Sequence, residues 1–438
     1  MELKRELSLR DVSLFAISCI VGTRWIAAAA HAGPGSVTLW LLGAVFFLVP
    51  LAVAVATLSA KYPGSGGLYL WTRGDYGPRH AFLAFWVYWM GIAFWFPSAA
   101  LFYMSAGFYT LGPRYEWLAS NRIYVLAAAL VAIWIALGTN MVGVHIGKWT
   151  ENVGAAATWL LCGAFVALAV VAWRRGGPAT PLHILPHWNW ETVSFWSTIA
   201  YAMSGIELAG FMSGEIRDPL RTLPRAGWIA SAFAAVFYAA STVALLVLLR
   251  PERISELNGL AEAGETGGRL VGIAWVSPLI ALLVLLSAVG QIGGLGTGVS
   301  RLPFAAGVDR LLPDAFGRIH PRWGTPYISI LSLGAVATVL LVAIQAGDTL
   351  RAAYDELVSL MVIVGFLPFA YIFGGAWKAG KRFSALAGGG ITALAIACAI
   401  VPTASITNVW LFEGKLALGT AAVIGSAMVV YRRHAKGR

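Results

Sequence analysis

The sequence predicts an all-α integral membrane protein with twelve transmembrane helices, and three observations carry that expectation. Of 438 residues, 59% are hydrophobic and only 12% charged, with a mean hydropathy of +0.75; a soluble domain carries about 25% charged residues. Apolar runs of about 20 residues, the length that crosses a hydrocarbon core, recur along the whole chain. Lys and Arg are heavy in every second loop and sparse in the others. Together these exclude a soluble domain on an anchor and predict one polytopic domain over 1–438. The net charge of +11 is spread among short loops, as membrane topology requires, and is no nucleic-acid signature.

Taken in order, the polar and charged Met1–Arg10 leads into the apolar run Val12–Ala32, which reads as a retained span, so no cleavable signal peptide is expected. Val37–Ala60 and His80–Leu111 follow, the latter long enough to tilt. Ile123–Gly138, Asn152–Trp173 and Thr192–Gly214 complete the first six. The remaining spans are Gly227–Leu249, the long Gly272–Gly307, Pro326–Ala346, Ala352–Trp377, Ser384–Val401 and Trp410–Tyr431. Counted over alternate loops, 21 Lys and Arg lie on the N-terminal side and nine on the other, with Arg24 completing the 31. The positive-inside rule then places both termini in the cytoplasm of a multi-pass cell-membrane protein, plasma or inner. Cys19, Cys162 and Cys398 all fall inside apolar runs and read as small packing residues, with no disulfide expected.

Two of the spans carry charges at membrane depth. Arg24 follows Gly22-Thr23 between Ile17–Val21 and Trp25–Ala30; Glu207 follows Ser204-Gly205-Ile206 between Phe195–Met203 and Leu208–Met212. An ionisable side chain there costs roughly 3 kcal/mol on insertion scales and marks a functional site. Glycine-interrupted spans at matching positions of two chain halves point to a transporter's substrate site. About 180 residues, or five spans, separate Gly22 from Gly205. Five is odd, so residues 12–173 and 192–377 would be two repeats of opposite orientation, with 384–431 as an accessory pair. Unwound backbone at each break offers amides to a carboxylate and carbonyls to an ammonium, which together form a receptor for a zwitterion.

Four stretches carry a family resemblance. The first is Tyr62-Pro-Gly-Ser-Gly-Gly-Leu-Tyr69 with Trp71-Thr-Arg and Tyr76-Gly-Pro78. The second, read as the fourth-to-fifth loop, is Asn140-Met-Val-Gly-Val-His with Gly147-Lys-Trp-Thr-Glu-Asn152. The third is Ser204-Gly-Ile-Glu207, Gly214-Glu-Ile-Arg-Asp-Pro219, Arg221 and Pro224-Arg-Ala226. The fourth, after span eight, is Ser300-Arg-Leu-Pro-Phe304, Asp309, Leu312-Pro313, His320-Pro-Arg322 and Gly324-Thr-Pro326. In this order and spacing the chain resembles the amino acid–polyamine–organocation transporter family over nearly its full length.

That resemblance implies alternating access on a five-plus-five inverted-repeat fold with broken helices one and six. It implies an amino acid as substrate, by proton symport or substrate exchange, with a polyamine or other organic amine as the alternative. The site would lie between the breaks, at Val21, Gly22, Thr23, Arg24 and Trp25 and at Tyr201, Met203, Ser204, Gly205 and Glu207. Trp95, Ser98, Gln291 and Ser359 are the candidate walls from spans three, eight and ten. A lysine that replaces sodium in span five of some members is absent between Val153 and Val171; Thr297 is a weak hydroxyl candidate for a sodium site.

One departure from the family pattern concerns the first break, where many members read Gly-Ser/Thr-Gly and this chain reads Gly22-Thr23-Arg24. Arg24 binds the substrate carboxylate through its fork, or pairs with Glu207 and braces the two breaks, or points to the cytoplasmic vestibule. In the first two cases an extra fixed cation disfavours lysine, arginine and polyamines. Glu207 is either a local structural acceptor or a proton-coupling group. Glu215, Arg217 and Arg221 at the end of span six read as a gating or loop-fixing ion pair, as do Arg301 and Asp309 after span eight.

His183 and His187 have helix-like ligand spacing but sit among Pro178, Pro181 and Pro186 without further ligands, so neither metal nor cofactor is expected. The seven histidines lie in loops or at span ends, which leaves no convergent catalytic set and predicts no enzyme. No selectivity ring of a channel is present. The expected partners are the small-molecule substrate, the lipid bilayer and protons. Trp71, Trp117, Trp173, Trp188 and Trp190 read as interfacial anchors and packing residues, whereas Trp25 adjoins the break as an aromatic wall.

Overall fold

The fold is that of a computed structural model, which describes residues 5 and 7–435 apart from 143, 184, 187–189, 345–349, 403–405 and 407. Lys4, His187, Trp188, Lys436 and Arg438, and the side chains of Lys148, Trp190 and Arg351, lie outside the described residues. Among the described residues every element is helical, and the single β pairing is one bridge between Leu7 and Ile216.

Helix α1 (Leu9–Ile20) begins at a capping box in which Ser8 and Asp11 satisfy each other's amides. It is followed, across a 45° bend, by α2 (Arg24–His31). α3 (Ser36–Gly43), a π-helical turn (Ala44–Leu48) and α4 (Val49–Lys61) make one rod. Pro50 sits where the wide turn ends; it has no N–H to donate to the carbonyl four residues back. Gly77, at φ +87°, turns the chain from α5 (Gly67–Tyr76) into α6 (Pro78–Gly107). Next come α7 (Trp117–Ser120), α8 (Arg122–Val142) and α9 (Val144–Gly176). α10 (Trp190–Ala202) and α11 (Ile206–Phe211) flank the second break, and α12 (Pro219–Leu248) follows, N-capped by Asp218. The rest of the chain is α13 (Gly259–Val271), α14 (Val276–Val299), α15 (Arg301–Val308), α16 (Tyr327–Ile344), α17 (Leu350–Phe366), α18 (Phe369–Lys378), α19 (Arg382–Ala399) and α20 (Val409–Ala435).

Among the described residues nine helices are long and apolar enough to cross a membrane, or ten if the bent pair α1–α2 counts as one span. α6 lies at the centre: 83% of its apolar window is buried, against 17% for α20, whose Trp410 and Leu418 face outward. α9 and α14 meet at glycines, where a Cβ on Gly154 would lie 2.4 Å from the Gly290 Cα; small residues of this kind let membrane helices approach closely.

Several boundaries differ from the sequence expectation. The stretch read as the fourth-to-fifth loop is helical on both sides of residue 143. Asn140 is the reason: it is 5% exposed and its Nδ2 donates to the Gly293 carbonyl at 3.1 Å, so it is a buried inter-helix bond and not a loop residue. The segment Ser300–Phe304 begins α15, and α12 starts at Pro219, not Gly227. α13 lies in the connection between the spans expected at Gly227–Leu249 and Gly272–Gly307. Span ten is interrupted at Leu367-Pro368, between α17 and α18.

Candidate functional site

The two breaks touch. At the first, the helix ends at Ile20 and restarts at Arg24, with the Val21 N–H still bonded to the Ile17 carbonyl at 2.8 Å. At 22 a Cβ would lie 2.6 Å from Gln291 Nε2 and 2.8 Å from Trp25 Cδ1, so a larger residue would displace both side chains. At the second, Gly205 has φ +124°, and a Cβ would lie 2.8 Å from the Cys19 carbonyl oxygen. Both the left-handed backbone and this contact exclude other residues.

A residue the sequence analysis missed joins them. The Tyr238 hydroxyl of α12 accepts from the Gly22 N–H at 2.9 Å, donates to the Ile20 carbonyl at 2.8 Å and lies 3.3 Å from the Ala202 carbonyl. Its ring stacks on Trp40 with centroids 4.1 Å apart. Thus the Gly22 amide and the Ile20 carbonyl at the first break already have a side-chain partner, and the same hydroxyl touches the last carbonyl before the second break.

Arg24 is fully buried. Its Nη1 donates to Ser98 Oγ at 2.7 Å and its Nη2 to Met361 Sδ at 3.4 Å, while Nε has no partner. The guanidinium carbon lies 3.9 Å from the Trp25 ring centroid and 5.2 Å from that of Trp95. No carboxylate forms an ion pair with it among the described residues. Its side chain lies between α6 and α17 and not in the opening on the N-terminal side. Glu207 is 1% exposed and both its oxygens are occupied: Oε1 accepts from Tyr88 Oη at 2.8 Å and Oε2 from the Gly205 N–H at 2.8 Å. Arg24 and Glu207 therefore do not brace each other in this conformation. Each is held by its own neutral partners.

Trp25, Trp95, Tyr201, Ser204, Gly205, Glu207 and Gln291 line one cavity of about 20 Å³, room for about one water. Gln291 is held by Tyr103, whose hydroxyl donates to Oε1 at 2.6 Å, and Thr23 lies 3.2 Å from Ser287 Oγ. Val21 and Met203 are buried beside the breaks without lining this cavity. Ser359 does not line it either. α17 instead presents Gly365 to the cavity and Met361 to Arg24; Met361 is two positions from Ser359, about 200° around the helix. Tyr88 and Phe369 are further wall residues the sequence analysis missed.

A larger opening of about 330 Å³ leads in beside Arg10, Asp11, Thr297 and Arg301 as far as Ser18, next to Cys19 on the cavity wall. Near its mouth the expected ion pairs form with crossed partners. Glu215 takes Arg301, with bonds of 2.7 and 3.1 Å, in place of Arg217, whose side chain is exposed. Asp309 takes Arg73 and the Tyr69 hydroxyl. Trp117 and Trp173 are half exposed, but Trp71 is 2% exposed and packs on Phe211, so it is a core residue and not an anchor. His183 is exposed, and among the described residues no group of His, Cys, Asp or Glu is placed to hold a metal ion.

A bundle of long apolar helices around two broken helices and a buried cation with no ion pair among the described residues is the architecture a membrane transporter needs. Comparison with known proteins makes the class specific. Residues 7–424 match the amino acid permease family, and the chain belongs to it, in keeping with its resemblance to the amino acid–polyamine–organocation superfamily. It is 23% identical over 86% of its length to an uncharacterized transporter of Legionella pneumophila, covering 81% of that protein. It is 30% identical over 77% of its length to an uncharacterized transporter of Mycobacterium tuberculosis, covering 74% of it. Over about half of each chain it is also similar to a probable agmatine/putrescine antiporter of Lactococcus lactis, at 25% identity. A similar half-length match, at 28%, is to an L-asparagine permease of Mycobacterium bovis.

Proposed function

We propose that the chain is a secondary transporter that moves neutral or acidic amino acids across the cell membrane by alternating access, through proton symport or substrate exchange. In this reading it has twelve spans, with 12–173 and 192–377 as inverted repeats, 384–431 as the accessory pair, and both termini in the cytoplasm. The observation that carries it is Arg24: a guanidinium with no exposure and no counter-ion among the described residues, held by a serine and a methionine. A buried charge without a partner is costly, and a substrate carboxylate would supply the missing anion through a charge-assisted pair of bonds. Tyr238 already occupies the Gly22 amide, so the carboxylate anchor passes from backbone to side chain. The cavity is too small for an amino acid, so binding requires the helices around it to part. Glu207 is the candidate proton site, through its bond to Tyr88.

A polyamine or other organic amine is the second reading, favoured by the buried Glu207 and by the similarity to a probable agmatine/putrescine antiporter. The unpaired Arg24 opposes it. Uptake into proteoliposomes decides, with labelled neutral, acidic and basic amino acids and putrescine, each with and without a proton gradient and internal substrate. Saturable uptake of a neutral or acidic amino acid is expected. Uptake confined to putrescine or basic amino acids would overturn the assignment of Arg24. A Glu207→Gln protein with unchanged pH dependence of uptake would remove the proton role.

A further inference from the structure

Away from the site, a groove of about 210 Å³ runs between α4 and α12, walled by Val49, Ala52, Ala56, Gly227 and Ser231, with Lys381 at its edge. Small side chains create it: a Cβ on Gly227 would lie 3.0 Å from that of Ala52. Trp228, 60% exposed, also lines the groove, and Ile229 and Val236 of the same helix face outward. So much exposed apolar surface on a helix of a membrane bundle faces hydrocarbon.

Two polar features do not fit a plain apolar wall. Ser231 is 2% exposed, yet its hydroxyl has no hydrogen-bond partner among the described residues, and an unsatisfied buried donor is expensive. Lys381 is exposed and forms no ion pair among the described residues, and the exposed Arg225 and Arg382 flank it and the groove in sequence. Ser231 lies seven residues from the groove residue Pro224, about 10 Å further along α12.

We propose that this groove binds one anionic phospholipid from the leaflet on the N-terminal side. The acyl chain fills the space between α4 and α12, the phosphate lies against Lys381, and an ester carbonyl accepts the Ser231 proton. An apolar groove alone takes any chain; the lysine selects the charge of the head group.

The test is native mass spectrometry of the delipidated full-length protein titrated with phosphatidylglycerol or phosphatidylcholine. The wild type is expected to retain one phosphatidylglycerol at concentrations where phosphatidylcholine is lost. Lys381→Gln should weaken phosphatidylglycerol retention roughly fivefold, the effect of one lysine beside an anionic lipid, and leave phosphatidylcholine unchanged. Ala56→Phe, which fills the groove, should lower both. Equal retention of the two lipids by the wild type, or phosphatidylglycerol retention indifferent to Lys381→Gln, would reduce the groove to ordinary annular lipid contact and overturn the proposal. If Ala56→Phe fails to fold, the surface change Lys381→Gln still decides.

Discussion

Arg24 and Glu207 are held by the same helix at levels ten residues apart, Arg24 by Ser98 and Glu207 by Tyr88, both of α6. At 1.5 Å per residue their anchors are separated by about 15 Å. The two charges are therefore separate devices, one held between α6 and α17 with no counter-ion among the described residues and one on the cavity wall with both oxygens bonded. A variant of either should act independently of the other.

For Arg24 the expectation is a split between stability and transport. Arg24→Met exchanges an unpaired buried cation for an apolar chain of similar length, so the melting temperature should hold or rise. Loss of a charge-assisted bond to the substrate, roughly 1.5–3 kcal/mol, should weaken apparent affinity about 10- to 150-fold. Uptake kinetics and a thermal melt in the same detergent check both halves. Wild-type affinity in Arg24→Met would take the guanidinium out of the site.

Tyr238→Phe keeps the ring stack on Trp40 and removes only the hydroxyl. The Gly22 N–H and the Ile20 carbonyl then lose a buried partner, at a cost of about 1–3 kcal/mol. A lower melting temperature with slowed uptake is expected. No change in either would mean that water takes the hydroxyl's place without penalty.

The Glu215–Arg301 pair is nearly enclosed, its side chains 13% and 10% exposed. Removing one partner leaves a buried uncompensated charge, which costs about 3–5 kcal/mol. Arg301→Met should therefore destabilise strongly, and the double variant Glu215→Gln/Arg301→Met should recover most of the loss. Additive losses in a double-mutant cycle would refute direct coupling.

Glu262 gives a pH dependence outside the membrane-spanning helices. Burial pushes its carboxyl above the ordinary glutamate range; the Ser255 amide opposes this and the Glu265 charge adds to it. The folded protein thus holds this proton more tightly than the unfolded chain. The resulting stability is complete below the unfolded value, about 4.3, and declines as pH rises through the folded one. Thermal melts upward from about pH 4 should show a wild-type decline that is shallower in Glu262→Gln. Parallel curves would exclude Glu262 as the source.

What was legible in the sequence was local. Gly22 and Gly205 announced their breaks because a residue without a Cβ beside a charge has few other uses in an apolar run, and the structure puts helix ends at both. Apolar length located the long helices. Partnerships over distance were not legible. Tyr238 bonds to residues more than 200 positions away, and in sequence it is one of 14 tyrosines. The sequence points to Ser359 and is silent on Met361, because the face that a helix turns inward is set by its neighbours. α13 was missed because its glycines and glutamates read as a loop, although its left-handed Gly272 cap is an ordinary helix stop. Glu215 and Arg301 lie 86 residues apart, and nothing local pairs them.

The Tyr238 hydroxyl has a mechanical consequence. Two hinges that shared no part would swing freely, giving the bundle two independent degrees of freedom. Here one oxygen acts as a common pin, set against the end of α1 on one side and the end of α10 on the other. Were either half-helix to turn, it would pull on the pin of its counterpart, so under the proposed alternating access the joints would operate as one linkage and half-turned states would be penalised.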